Sequence, residues 1–134
     1  MIAVSVAAVI EQAHAVLPGS PAAQGQQDAR WQAIFRVGDY IETDPEPVWE
    51  FVRRWGSCPD EDVRDAIACC LLEHLLQFHF ALVFPRVERA VKEDSLFADT
   101  FSRCWRFGQA KSGANADQFE ELKAWCKVRT DQGK

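Results

Sequence analysis

Residues Asp60 to Phe78 read DEDVRDAIACCLLEHLLQF, and the fold class turns on how the apolar positions in this stretch are spaced. Val63, Ala66, Ile67, Cys70, Leu71, His74, Leu75 and Phe78 recur at steps of three and four, the spacing of one face of a long α-helix. Stepping about 100° per residue from Val63 puts His74 near the middle of that apolar arc, with Cys70 one turn before it. The same count gathers Asp62, Asp65, Cys69 and Glu73 on a polar strip. Leu72 and Leu76 fall outside the main arc, so the helix is expected to be covered on more than one side.

Outward from this helix the punctuation is clear. Val6, Val9, Ile10, Ala13 and Leu17 follow helical spacing, and Pro18-Gly19-Ser20-Pro21 ends the run. A second helix is expected from Asp28 to about Glu42 on Trp31, Ile34, Phe35, Gly38 and Ile41. A short third one carries Val48, Phe51, Val52 and Trp55 after Pro45 and Pro47 and stops at Gly56. Phe80, Val83, Phe84, Val87 and Val91 continue the period, but Pro85 inside it predicts a break, a kink or a helix start near residue 84. A further helix from Asp94 or Ser95 takes Phe97, Phe101, Cys104 and Trp105 to Gly108. A last one holds Phe119, Leu122 and Cys126, with Asn115 and Gln118 spaced like a capping box and Thr130 to Lys134 frayed. No alternating strand pattern or hairpin signal interrupts this series. The expectation is an all-α chain of about seven helices, forming one domain over residues 1–134.

Bulk properties narrow the function classes. A chain of 134 residues, 48% hydrophobic with five Trp and nine Phe, is large enough for one real core. The net charge of −5 disfavours a nucleic-acid partner, which needs a dense Lys/Arg surface. Residues 1–62 hold ten acidic and four basic side chains, against ten and eleven in residues 63–134, so a partner with a basic surface would be steered to the front half. Five cysteines, at 58, 69, 70, 104 and 126, do not form a secreted disulfide framework, and reduced thiols in the cytoplasm are expected. The opening MIAVSVAAVI has no Lys or Arg before its apolar run and is too short to span a bilayer, so no membrane partner is expected.

Within VWEFVRRWGSCPDEDVRDAIACCLLEHL, a short helix with Phe51, Val52 and Trp55 is followed by a tight turn at Pro59 and Asp60, then by Val63-Arg64 and spaced Ala66, Ala68, Leu71 and Leu75. This resembles a HEAT-type helical repeat, in which Asp-x-x-Val-Arg opens the second helix; here Asp60, Val63 and Arg64 fill it. The resemblance covers residues 47–76, about one repeat, and Asp28-Ala29-Arg30 echoes Asp62-Val63-Arg64 at a distance of 34 residues. It implies a HEAT-like helical stack, with an irregular α-bundle as the alternative, and a scaffold that binds through exposed helix faces. The early arginine is expected to pair with a carboxylate of an adjoining turn or repeat.

Candidate chemistry is sparse. His79 stands five residues after His74, whereas two metal ligands on one helical face want three or four, and no Cys-x-x-Cys occurs; neither a metal nor a cofactor is expected. Cys70 and His74 suit a thiol nucleophile by spacing, but an apolar setting raises a thiol pKa and both fit a packing role. Trp31, Trp55 and Trp105 are expected in the core, while Trp49 and Trp125 sit off-centre. The favoured expectation is a small protein that binds another protein, as an adaptor, an inhibitor or an immunity-type protein, with Trp49, Asp62, Asp65, Cys69 and Glu73 as contact residues. One alternative is a HEAT-like nucleic-acid-processing protein related to the DNA glycosylases that excise alkylated bases, although those look longer and more basic and no catalytic motif of theirs occurs here. The other is a thiol enzyme using Cys70 and His74.

Overall fold

The computed structural model describes residues 5–20, 22–23 and 25–132. Helix α1 (Val6–Val16) starts where the Ser5 hydroxyl accepts the Ala8 N–H, and it turns Val9, Ala13 and Leu17 inward. Helix α2 (Ala29–Gly38) is capped by the Asp28 carboxylate, and α3 (Pro45–Trp55) opens on a proline that has no N–H to leave unpaired. Asp60 accepts the Asp62 and Val63 N–H groups at the start of α4 (Glu61–Ile67). This helix runs through a π-helical turn (Ala68–Leu72) into α5 (Glu73–Phe78) as one rod. Helix α6 (Phe80–Glu93), α7 (Ser95–Ser102, capped by Asp94), a 3-10 turn at Gly108–Lys111 and α8 (Gly113–Gln132) complete the chain. Counting the α4–π–α5 rod once gives seven helices, and no strand occurs among the described residues.

Four boundaries differ from the sequence reading, the first being that of α2, which ends at Gly38 instead of about Glu42. The chain breaks at His79 (φ −138°, ψ 45°), ahead of Pro85, which sits inside a continuous α6. Pro85 and Ala81 are both exposed, so water can satisfy the Ala81 carbonyl that the proline nitrogen cannot. The break itself is held by Gln109, whose amide oxygen accepts the Phe80 N–H and whose amide nitrogen donates to the Phe78 carbonyl, both at 2.9 Å. Gly108, beside it, has φ +51°, and a Cβ there would lie 2.6 Å from Gln77 Cγ, so only glycine fits. Helix α7 ends at Ser102 instead of Gly108, which sends Trp105 out to 74% exposure instead of into the core. Helix α8 begins before Asn115, whose side chain donates to the Gln109 carbonyl instead of closing a capping box, and it extends past Thr130; the expected fraying of Gly133 and Lys134 lies outside the described residues.

Helix α1 packs on α2 and touches α3, while α2, the α4–π–α5 rod and α7 lie side by side. Helix α3 faces α6 across the bidentate Arg86–Glu46 pair, and α8 closes the far end against α6 and α7. The core between these layers contains Phe51, Ile67, Leu71, Leu72, Leu75, Leu76, Phe97, Phe101 and Phe119, each at most 1% exposed. Each such side chain contributes about 1.5–3 kcal/mol by burial, which fixes the rod in the middle of the molecule. No helix among the described residues is long and apolar enough to cross a membrane.

Candidate functional site

The surface around the π turn differs from the expected strip because of one hydrogen bond. The Glu73 N–H donates to the Ala68 carbonyl, five residues back, so the turn holds one residue more than an α-turn would. Every side chain after it is set back by about 100° relative to an α-helical count. Leu72 and Leu76 therefore turn into the core, Phe78 turns out to 39% exposure and His74 becomes half-buried at the surface.

Glu73 also turns inward, to 5% exposure, where its Oε2 accepts the Trp105 N–H at 2.6 Å. Burial pushes its carboxyl above the usual carboxylate range, while the Trp105 N–H, His74 and Lys123 pull it back. Glu73 is thus a buried anchor for the segment after α7 and no part of an exposed strip. Trp49 is 6% exposed and packs edge-to-face on Phe97 at 5.8 Å, so it belongs to the core and offers little surface. Asp62 is exposed, but its carboxylate already accepts from Arg30 Nη2 at 2.6 Å and Trp31 Nε1 at 3.1 Å. Asp65 lies 3.6 Å from Arg103, and the exposed Cys69 directs its thiol to Asp65 at 3.9 Å. The five residues do not form one surface.

What the rod and its neighbours do present is aromatic. Of the six large hydrophobic side chains that are exposed among the described residues, four come from the rod and the segments packed against it: Phe35 (53%), Phe78, Trp105 and Phe107. Phe107 stacks on the His74 ring at 5.9 Å, and Trp105 is tied by its backbone to Glu73, the residue before His74. His74 and Phe78 share one side of an open groove of about 330 Å3, with Phe35, Gly38 and Ile41 opposite. His79 Nε2 donates to the Ile41 carbonyl at 2.9 Å, which holds the two walls together. Asp39, Glu42, Cys69 and Cys70 complete the rim.

The thiols here are poor nucleophiles. Burial, with Cys69, Glu73 and Asp65 nearby, pushes Cys70 up to about 11, and burial raises Cys69 as well. Both stay protonated at neutral pH, and the His74 Nδ1 is engaged with Gln77 Oε1 at 2.8 Å. No group of three or more His, Cys, Asp or Glu able to hold a metal ion occurs among the described residues. Arg30, Arg53, Arg64, Arg86, Arg103 and Arg106 all pair with carboxylates, so they do not build the basic stripe that a nucleic-acid reading needs.

The sequence reading missed Trp105 because α7 stops at Ser102 with neither Gly nor Pro to mark the exit. It missed Phe107 for the same reason, and it placed Phe78 inside because the extra residue of the π turn is invisible to a fixed angular step. No family model, curated protein or solved structure matches the chain.

Proposed function

We propose that the chain is a protein-binding module, an adaptor, inhibitor or immunity-type protein, that docks its partner on the aromatic face around the π turn. The observation that carries this reading is Trp105, 74% exposed, two residues before Phe107, whose ring stacks on His74. Exposed aromatics of this size are costly in water and are enriched among the residues that dominate binding energy. The raised thiol pKa values of Cys69 and Cys70 weigh against the thiol-enzyme alternative.

A HEAT-like stack belongs to the same proposal. Its support is that Asp28, Asp60 and Asp94 cap α2, α4 and α7 in the same way, and that Arg30 and Arg64 each reach a carboxylate of the next of these helices. A cytosolic setting goes with it, since the adjacent Cys69 and Cys70 lie at or near the surface, where a reducing compartment would keep them as thiols.

The test is capture of the partner from native extract by the full chain and by its Trp105→Ala and Phe107→Ala variants. Each substitution should lower capture by about tenfold or more with an unchanged circular dichroism spectrum and melting temperature. Undiminished capture by both variants would remove this face from the reading.

A further inference from the structure

We infer that the groove between the end of α2 and α5 takes a cationic amphipathic segment of the partner protein, one apolar side chain lying on Phe35 and Phe78 and a Lys or Arg side chain reaching Asp39 and Glu42. This rests on the protein-binding reading of the aromatic face and names the chemistry of what docks there.

The argument is one of charge complementarity. Most carboxylates near the rod are already engaged in ion pairs, though not fully neutralised: Asp28, Asp60 and Asp62 share Arg30, and Glu61, Asp65 and Asp99 share Arg103 and Arg64. Asp39 and Glu42 are exposed, and neither has a side-chain partner among the described residues. They stand on the rim of a groove whose lining contains no Lys or Arg and whose exposed aromatic side chains are Phe35 and Phe78. Larger openings elsewhere lack this combination: the one between α6 and α8 also has no Lys or Arg in its lining, but its rings, Phe80 and Phe84, are buried and its Glu88 pairs with Lys92. The one between α3 and α6 sets Arg53, Arg86 and Arg89 against Glu46, Glu50 and Glu93, and the one between α7 and α8 sets Lys123 and Lys127 against Asp99 and Glu120. An unpaired anionic rim beside exposed aromatic rings favours a partner that brings positive charge and apolar surface together, the pattern of an amphipathic segment laid in a groove. The rings themselves also attract a cation through their faces.

The probe is a short synthetic amphipathic helix of Leu and Lys, with a Leu and Glu counterpart and spermidine as controls, titrated into the full chain by fluorescence anisotropy of the labelled peptide. The Leu/Lys peptide should bind and the Leu/Glu peptide should not. Asp39→Lys with Glu42→Lys, and separately Phe35→Ala, should each weaken binding by about tenfold. Asp117→Lys with Glu121→Lys, the same change of net charge on α8, should leave it within about twofold. Equal weakening by the α8 pair would mean nonspecific charge attraction and overturn the inference, as would spermidine alone displacing the peptide completely, which would mark a small-cation site. Failure of the two proposals separates in the capture experiment. Loss of capture in Trp105→Ala with full capture in Asp39→Lys/Glu42→Lys would keep the aromatic face and overturn its cationic occupant; the opposite pattern would keep the groove and remove the wider face.

Discussion

Arg30 is 1% exposed, and its guanidinium reaches Asp28 at 3.0 Å, Asp60 at 3.1 Å and Asp62 at 2.6 Å. A cation so far from water is tolerable only because these partners repay its desolvation, so removing it leaves three carboxylates facing one another. Arg30→Met should destabilise the fold by about 3 kcal/mol, read as a shift in the urea midpoint. The same contact sets a pH dependence. Arg30 holds Asp28 down to about 2 against an ordinary 3.8, so the unfolded chain binds the proton first as pH falls. Stability from this contact is complete above about pH 4 and lost toward pH 2, and Arg30→Met should flatten that leg of the urea-midpoint profile. Glu73 has the opposite sign. Burial raises its pKa, so the native state holds that proton longer than the unfolded chain and the contribution worsens as pH rises through the native value. Glu73→Gln should therefore be no less stable than the parent at neutral pH, because an amide oxygen still accepts the Trp105 N–H without a buried charge. Glu73→Ala should cost about 1–3 kcal/mol by leaving that N–H without its acceptor. A Gln variant as unstable as the Ala variant would show that Glu73 acts through its charge.

At the scale of elements, the π turn explains why part of the sequence was legible and part was not. Up to Ala68 the helical count works: Val63, Ala66 and Ile67 are buried, as their spacing predicts. Beyond it the buried set becomes Leu71, Leu72, Leu75 and Leu76, and together with Val63, Ala66 and Ile67 these span an arc too wide for one face of a continuous α-helix, but an ordinary one once a single residue is looped into the turn. The doublets Cys69-Cys70, Leu71-Leu72 and Leu75-Leu76 were the visible trace of that insertion. The helix class and most boundaries came from periodicity and punctuation, which are local. The exit of Trp105 depends on Glu73 and the break at His79 on Gln109, both distant in sequence and silent in any local pattern. Cys69 and Cys70 are the residues of the π turn that are not buried, so one of them is the residue an α-helix would omit. Deleting Cys70 should close the turn to α geometry and keep α5 facing the core, with cooperative urea unfolding retained. Deleting Leu75, in a segment with no surplus residue, should rotate the end of the rod away from the core and abolish cooperative unfolding. Equal damage from the two deletions would refute the insertion account.

At the scale of the whole molecule, ion pairs run along the edge where α2, α4 and α7 begin, and they set how rigidly the aromatic face is presented. Arg30 joins α2 to α4, while Arg64 and Arg103 both bind Asp99, each linking α4 to α7 and its exit; Arg103 also reaches Glu61 and Asp65. Asp99 shared between two guanidiniums makes Arg64 and Arg103 parts of one network, so removing either strengthens the hold of the other on the same carboxylate. Arg86, which pairs with Glu46 across α3 and α6, shares no partner with them. Substitution to Met, singly and in pairs, should then give an interaction energy of about 0.5–3 kcal/mol for Arg64 with Arg103 and additivity within about 0.5 kcal/mol for Arg86 with Arg103. Trp105 lies two residues beyond Arg103, so a network that acts as a unit also fixes where the ring emerges, and the same Arg64/Arg103 double variant should broaden the Trp105 indole resonance relative to the Arg86 variant. Strict additivity for Arg64 and Arg103 would mean that the edge is a row of independent pairs, leaving the packing of Glu73 against the Trp105 backbone to hold the face in place.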